Sequence, residues 1–191
     1  MANGTLKVQN IQTSSGSGTI TLGQSGETIT APTGVTVSGG LSNSPAFIAA
    51  LSSNFTLGSG TRTLITFDAT GINVGNSFNT SNNRFTAPET ATYFLSTHLQ
   101  CDDLDDTDFF EVLYYRNGLI DNFDFAGHSS RNYLTTTYAS GSNQNTSGAI
   151  STIINLQEDD YIQVYARHNQ GSNQVLSFEN SYFSGYKLIG V

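Results

Sequence analysis

ATYFLSTHLQC, residues 91–101, alternates with a period of two: Ala91, Tyr93, Leu95, Thr97, Leu99 and Cys101 share one side, and mostly polar groups share the other. Successive residues of an extended chain point to opposite faces, so this is the pattern of a half-buried β-strand. The same period recurs on either side of it. In 150–156 the apolar set is Ile150, Ile154 and Leu156, with Thr152 in register; in 160–167 it is Ile162, Val164 and Ala166. In 109–115 one side reads Phe109, Glu111, Leu113, Tyr115 and the other Phe110, Val112, Tyr114. Asn117-Gly118 separates two apolar runs, the strongest short signal for a hairpin turn. Thr, Val, Ile, Tyr and Phe are plentiful, and no stretch longer than two turns keeps a clean 3.6-residue period. The expected class is all-β.

Composition narrows the function classes. The chain has 191 residues and a formal net charge of −8, with 7 Lys and Arg against 15 Asp and Glu. Two Lys and five Arg leave no basic surface to neutralise phosphates, so nucleic acid is not an expected partner. No window approaches the roughly 20 apolar residues of a spanning helix, so no membrane insertion is expected either. Met1 to Asn10 lacks the basic and apolar regions of a secretion signal. Cys101 is the single cysteine, which rules out a disulfide within the chain.

Residues 1–42 differ from 43–191. The leading segment holds two charges, Lys7 and Glu27, and no aromatic residue; β-branched runs (TITLG at 19–23, TITAP at 28–32, VTVSG at 35–39) are separated by turn residues. So thin a segment cannot bury enough area alone to offset its ordering entropy. It reads either as a linker or as a stalk in which copies from several chains pair. The repeated Ile, Leu and Val favour the stalk, with Leu6, Val8, Ile11, Ile20, Leu22 and Ile29 as its attachment residues. Residues 43–191 carry all the net charge and are long enough for one sandwich.

If Phe109, Glu111, Leu113 and Tyr115 face inward, then Phe110, Val112 and Tyr114, together with Tyr161 and Tyr165, occupy positions that a lone sandwich leaves wet. Either these five form a subunit interface, or the inward side of one strand is the other one.

Phe67, Asn73, Phe78, Phe85, Ala91, Tyr93 and Leu95 follow the spacing of the C1q domain: an aromatic, Asn, an aromatic, Phe, a small residue, then alternating aromatic positions. Ala91 stands for the usual Gly and Leu95 for Phe. Ile154, Leu156, Asp160, Ile162 and Val164 resemble the apolar run around that family's Gly-Asp turn, with Asp159 in place of Gly, and Phe183-Ser184-Gly185-Tyr186 is similar to its final strand. The resemblance covers about residues 45–191 and implies a ten-stranded jelly-roll sandwich that assembles as a homotrimer. The leading residues LKVQNIQTSSGSGTITLGQSGETITAP resemble the start of short C1q-tipped proteins of tailed bacteriophages, which implies attachment to other virion proteins through a β-rich stalk or anchor.

Chemistry has few footholds. Asp102, Asp103, Asp105, Asp106 and Asp108 are candidate oxygen ligands for Ca²⁺, although the run lacks the Gly of an EF-hand loop; a solvated acidic turn explains it as well. His98, His128 and His168 show no metal spacing, Cys101 reads as a small buried hydrophobe, and there is no nucleophile elbow. Enzymatic activity and an obligate cofactor are not expected. Strand parity puts the loops at 102–108, 140–148 and 169–175 at one end of the sandwich. Asp102, Asp103, Asp105, Asp106, Asn143, Gln144, Asn145, Asn169, Gln170, Asn173 and Gln174 are therefore candidate contacts to a host-surface glycan or protein. The expectation is a virion protein assembled in the host cytoplasm: a trimeric fibre or appendage, or alternatively a capsid cement protein at three-fold positions.

Overall fold

The computed structural model describes residue 33, residues 44–119 and residues 134–189. Leu6, Val8, Ile11, Ile20, Leu22, Ile29 and His128 lie outside the described residues. The described residues from 44 onward form an all-β jelly-roll sandwich. Its strands are β1 (Ala46–Ala50), β2 (Phe55–Leu57), β3 (Thr63–Leu64), β4 (Ala69–Val74), β5 (Phe78–Asn79), β6 (Arg84–Thr86), β7 (Ala91–Leu104), β8 (Phe109–Arg116), β9 (Leu134–Tyr138), β10 (Gln144–Leu156), β11 (Tyr161–His168), β12 (Gln174–Leu176) and β13 (Tyr182–Lys187). Thirteen described strands replace the ten expected, because the chain before residue 90 is cut into short pieces by turns. Asn76, Asn83, Gly60 and Gly75 there take positive φ, a conformation that Gly adopts freely and Asn tolerates.

A seven-stranded sheet runs β2-β12-β7-β13-β1-β4, with β10 along the other edge of β7; a six-stranded sheet runs β5-β6-β11-β8-β9, with β3 on β11. The strand read first in the sequence is the backbone of the larger sheet: β10 pairs with it from Ala91 to Leu104, and β13 and β12 share its opposite edge. Tyr93, Leu95, Thr97, Leu99 and Cys101 all point inward and are buried. So are Ile150, Ile154 and Leu156 of β10 and Ile162, Val164 and Ala166 of β11, as their alternation predicts.

Between the sheets lies a cluster of rings. Phe47 stacks on Phe78 at 5.4 Å and on Phe85 at 5.0 Å, and meets Phe183 edge-on at 4.9 Å. Tyr93 meets Phe85 at 5.3 Å and donates its hydroxyl to the Glu89 carbonyl; burial pushes its pKa up to about 12. Cys101 is buried, and burial, reinforced by Asp102 and Asp103, pushes its thiol up to about 12. At neutral pH it is an inert hydrophobe.

One strand corrects the sequence reading. Phe110, Val112 and Tyr114 are fully buried inside a single chain and are not interface residues. The inward side of β8 is theirs because a core position must be apolar or satisfied. Tyr114 meets the second condition by donating to Thr97 Oγ1 at 2.9 Å, whereas Glu111 would bring a carboxylate between the sheets. The outward side therefore holds Phe109, Glu111, Leu113 and Tyr115. Tyr161 and Tyr165 do point outward, half-buried, on the neighbouring β11.

One end of the sandwich is closed by Asp160. Its carboxylate accepts from Asn117 Nδ2 (2.7 Å) and the Gln157 N–H (2.8 Å) and pairs with Arg116. Partial burial works to raise its pKa, but the hydrogen bonds from Asn117 and Gln157 and the pairing with Arg116 outweigh it, so the net shift is below the ordinary 3.8. A carboxyl whose folded pKa is depressed contributes stability that is in place above the unfolded value and is lost as the pH falls through the folded one. Asp160→Asn is expected to cost about 1–3 kcal/mol at pH 7. Chemical denaturation as a function of pH should show the difference from the parent shrinking below about pH 4. An equal difference at pH 3 and pH 7 would rule out the charged clamp.

Candidate functional site

Three surfaces of the sandwich carry exposed residues in organised groups. The first is the loop end picked out by parity. Thr107 N–H donates to Ala139 C=O and Ala139 N–H to Asp108 C=O. Asp105 accepts from the Asn143 N–H at 3.4 Å and from Gln170 Nε2 at 3.5 Å, while Asn169 Oδ1 accepts the Phe109 N–H at 2.7 Å. The three loops therefore lie side by side. The turns near 88, 117 and 158 gather at the opposite end, where Ala87 N–H reaches Asp160 C=O and Glu158 N–H reaches Thr90 Oγ1.

Within this cluster many candidate contacts serve the loops themselves. Gln144 and Asn145 begin β10, and Gln144 donates to the Ser142 carbonyl. Gln174 begins β12 and is nearly buried, donating to Ser172 Oγ. Asn143, Asn145, Asn169 and Asn173 remain exposed; Gln170 is half-buried and tied to Asp105.

Within the single chain the Asp run gathers no Ca²⁺ site. Among the described residues no three acidic, His or Cys side chains converge on a point that could hold a metal. Asp102 stands on the outward side of β7 and accepts from Gln100 Nε2; Asp103 and Thr107 take positive φ, bending the chain between them. Consecutive aspartates on a strand and bend are thus fanned apart instead of gathered. The two described histidines are likewise structural. His98 Nδ1 lies 2.6 Å from the Asn180 carbonyl, and buried His168 bridges the Leu57 carbonyl and the Gln170 N–H.

The second surface is the outward side of the seven-stranded sheet. Register sets its side chains in cross-strand rows: Val74, Ala46, Tyr186, Phe94 and Ile153 in one, Ile72, Ile48, Ser184, Ser96 and Ser151 in the next, then Ala50, Tyr182, His98 and Ala149. Ile153 is 62% exposed and Val74 50%, with Ile48, Ile72, Tyr182 and Tyr186 each between 40% and 48%. Phe94 and Tyr186 pack ring to ring at 5.3 Å, and Ser96 and Ser151 hydrogen-bond across the strands within the next row. This is a contiguous apolar face of the kind that marks an interaction site. Sequence reasoning passed over it because each of its strands contributes one or two apolar residues, and only register joins them.

The third surface is the outward side of the six-stranded sheet. Glu111 lies buried between Arg62 (2.7 Å) and Arg167 (2.8 Å). Tyr115 stacks on Tyr165 at 3.9 Å, Arg167 covers Phe109, and Arg84 covers Tyr161.

With the sheets, loops and exposed faces in place, the comparisons decide the family. The C1q domain model matches residues 46–188. The chain belongs to the C1q domain family. Similar solved structures include the globular domain of zebrafish complement 1qA, at 11% identity and TM-score 0.53, covering 75% of this chain and 96% of that one. Eiger TNF of S. frugiperda matches at 14% identity and TM-score 0.53, covering 76% and 93%. Murine APRIL, solved at pH 5.0, matches at 14% and 0.54, covering 75% and 98%. At such identities these likenesses establish the shared fold of this C1q domain and nothing about what it binds. No curated protein matches the chain.

Proposed function

We propose that this C1q domain chain is a structural protein of a tailed-phage virion. It forms a homotrimeric, non-enzymatic fibre or appendage whose head meets the host surface and whose leading segment attaches to other virion proteins. The observation that carries the trimer is the apolar outward face of the seven-stranded sheet. A lone domain leaves Ile153, Ile48, Ile72, Val74, Tyr182 and Tyr186 in water, and a closed ring of copies covers them. Family likeness points the same way. The virion role is supported by the leading segment, whose turn-punctuated β-branched runs resemble those of C1q-tipped phage proteins, and by the acidic, uncharged-polar composition. Three copies of one weak site on a rigid head give avidity without strong individual contacts.

A density map of purified virions tests this reading. The expected result is a three-fold knob of about three times 20.4 kDa at the tip of a projection, in few copies. Hundreds of copies seated at three-fold points of the shell would instead make it a cement protein, and absence from the particle would end the virion reading.

A further inference from the structure

The six-stranded sheet concentrates cations in an acidic protein. All four arginines among the described residues, Arg62, Arg84, Arg116 and Arg167, lie on its strands or next to them, and the only carboxylate on those strands is Glu111. Arg116 is occupied by Asp160 at the hairpin end. Among the described side chains on the outward face, Arg62, Arg84 and Arg167 meet the single carboxylate of Glu111, on a chain of net charge −8, while Asp108 and Asp160 stand at the strand ends.

The order of the groups matters more than their number. Glu111 is 4% exposed, and both its oxygens are taken, Oε1 by Arg62 Nε and Oε2 by Arg167 Nη2. The side chains of Arg62 and Arg167 remain 34% and 31% exposed. An approaching ligand therefore meets cations with their carboxylate masked beneath, and Glu111 holds the Arg62 guanidinium above its ordinary pKa. Aromatic rings border the pair on both sides. Phe109 lies under Arg167, opposite Tyr138 on β9, which is 64% exposed; Tyr115 and Tyr165 stack on the other side of Glu111 along the strands. Among the described side chains of this sheet's strands no large aliphatic is exposed. The exposed ones on strands among the described residues, Ile48, Ile72, Val74, Ile153 and Val175, all belong to the other sheet.

We infer that this face binds acidic saccharide, rings against the C–H faces of the sugar and the Arg62–Arg167 pair against its carboxylate or sulfate. The inference deepens the host-contact reading and rests on it. Planar guanidiniums bind such anions through two parallel hydrogen bonds, and tyrosine faces offer rigid apolar area beside a hydroxyl. With no large aliphatic exposed among its described side chains, the face offers guanidinium and ring surface suited to a charged sugar.

The test uses the full chain and isothermal titration with three acidic hexasaccharides: a galacturonate, a sulfated and a sialic acid hexamer. The galacturonate hexamer with its carboxyls reduced to alcohols is the neutral control. At least one acidic probe should bind about tenfold more tightly than the control. Tyr138→Ala, at an exposed position, should weaken it severalfold. Arg62→Gln/Glu111→Gln/Arg167→Gln, which keeps neutral hydrogen-bonding groups in place, should abolish the preference for the acidic probe, with trimer mass and melting temperature checked alongside. Asn143→Ala/Asn145→Ala/Asn173→Ala in the loops should change nothing. Acidic probes that bind no better than the control overturn the inference. So does binding that the loop variant loses and the face variants keep, although the host-contact reading then stands with its site at the loop end. Failure of the parent head to adhere to host cells, whatever the sugars do, would remove the host-contact reading itself.

Discussion

Ile153→Glu/Tyr186→Glu is expected to turn the proposed trimer into a monomer. By size-exclusion chromatography with light scattering, the parent should have three times the 20.4 kDa chain mass and the variant one. Both residues lie in the same cross-strand row of the seven-stranded sheet, joined through Phe94, and both are exposed in the single chain, at 62% and 40%. Substitutions at such exposed positions usually shift domain stability by no more than about 0.5 kcal/mol, so the variant should still fold. In the proposed trimer the same positions are covered. Each copy then brings two carboxylates into an apolar contact near others of like charge. An unpaired charge buried at such a place costs several kcal/mol, and the three-fold repeats it. The effect is accordingly one of assembly, not of folding. Tyr115→Glu, on the opposite face of the sandwich, should leave the mass at three chains; that contrast separates this placement from an interface on β8 and β11. A double variant that stays trimeric at micromolar concentration would show that the copies meet somewhere else.

The spaced residues near the head of the domain were legible because each solves a local problem of the fold. Asn73 bonds both the N–H and C=O of Phe78, clamping the turn before β5, while Phe67, Phe78 and Phe85 enter one ring cluster. The small residue in the final strand is equally physical. A Cβ on Gly185 would stand 2.6 Å from Leu95 Cδ2 and 2.9 Å from Phe47 Cε1 and the Phe94 carbonyl, so nothing larger fits. Asp159, which departs from the family's Gly, holds φ +69°, a left-handed turn that Asp tolerates at some cost. Where the sequence failed to speak, the missing quantity was spatial. On β8 both sides are apolar and Glu111 lies on one of them, so alternation alone could not choose. The choice depends on Arg62 and Arg167, which are distant in sequence. The apolar face around Ile48, Ile72 and Ile153 comes from five strands scattered over more than a hundred residues, and no local window contains it. For the run from Asp102 to Asp108, adjacency in sequence is not adjacency in space, because β geometry spreads such neighbours apart within one chain.

Phe183→Ala should be the most damaging single truncation of the core. The ring is fully buried, with Phe47 at 4.9 Å, Tyr114 at 5.6 Å, Phe78 at 6.1 Å and Phe67 at 6.2 Å, so it bridges the two sheets at the centre of the cluster. Its backbone neighbours are fixed by pairing with Thr97 on one side and Ala49 on the other, which limits how far the strands can close over a cavity. Replacing a buried Phe by Ala costs about 3–5 kcal/mol where the site cannot collapse. That is a large part of the roughly 5–15 kcal/mol that holds a domain together. For a chain of this length the melting temperature should fall by about 10 °C or more. Phe183→Leu, which keeps most of the volume, should lose less than half as much. Because association adds apparent stability that depends on concentration, the comparison belongs on the monomeric Ile153→Glu/Tyr186→Glu background, with urea midpoints read at one protein concentration. On that background the cost reports packing within one sandwich alone. If Phe183→Ala lost less than about 1 kcal/mol there, the rings would not be the keystone of the core, and the inward assignment of Tyr114 beside them would fall too.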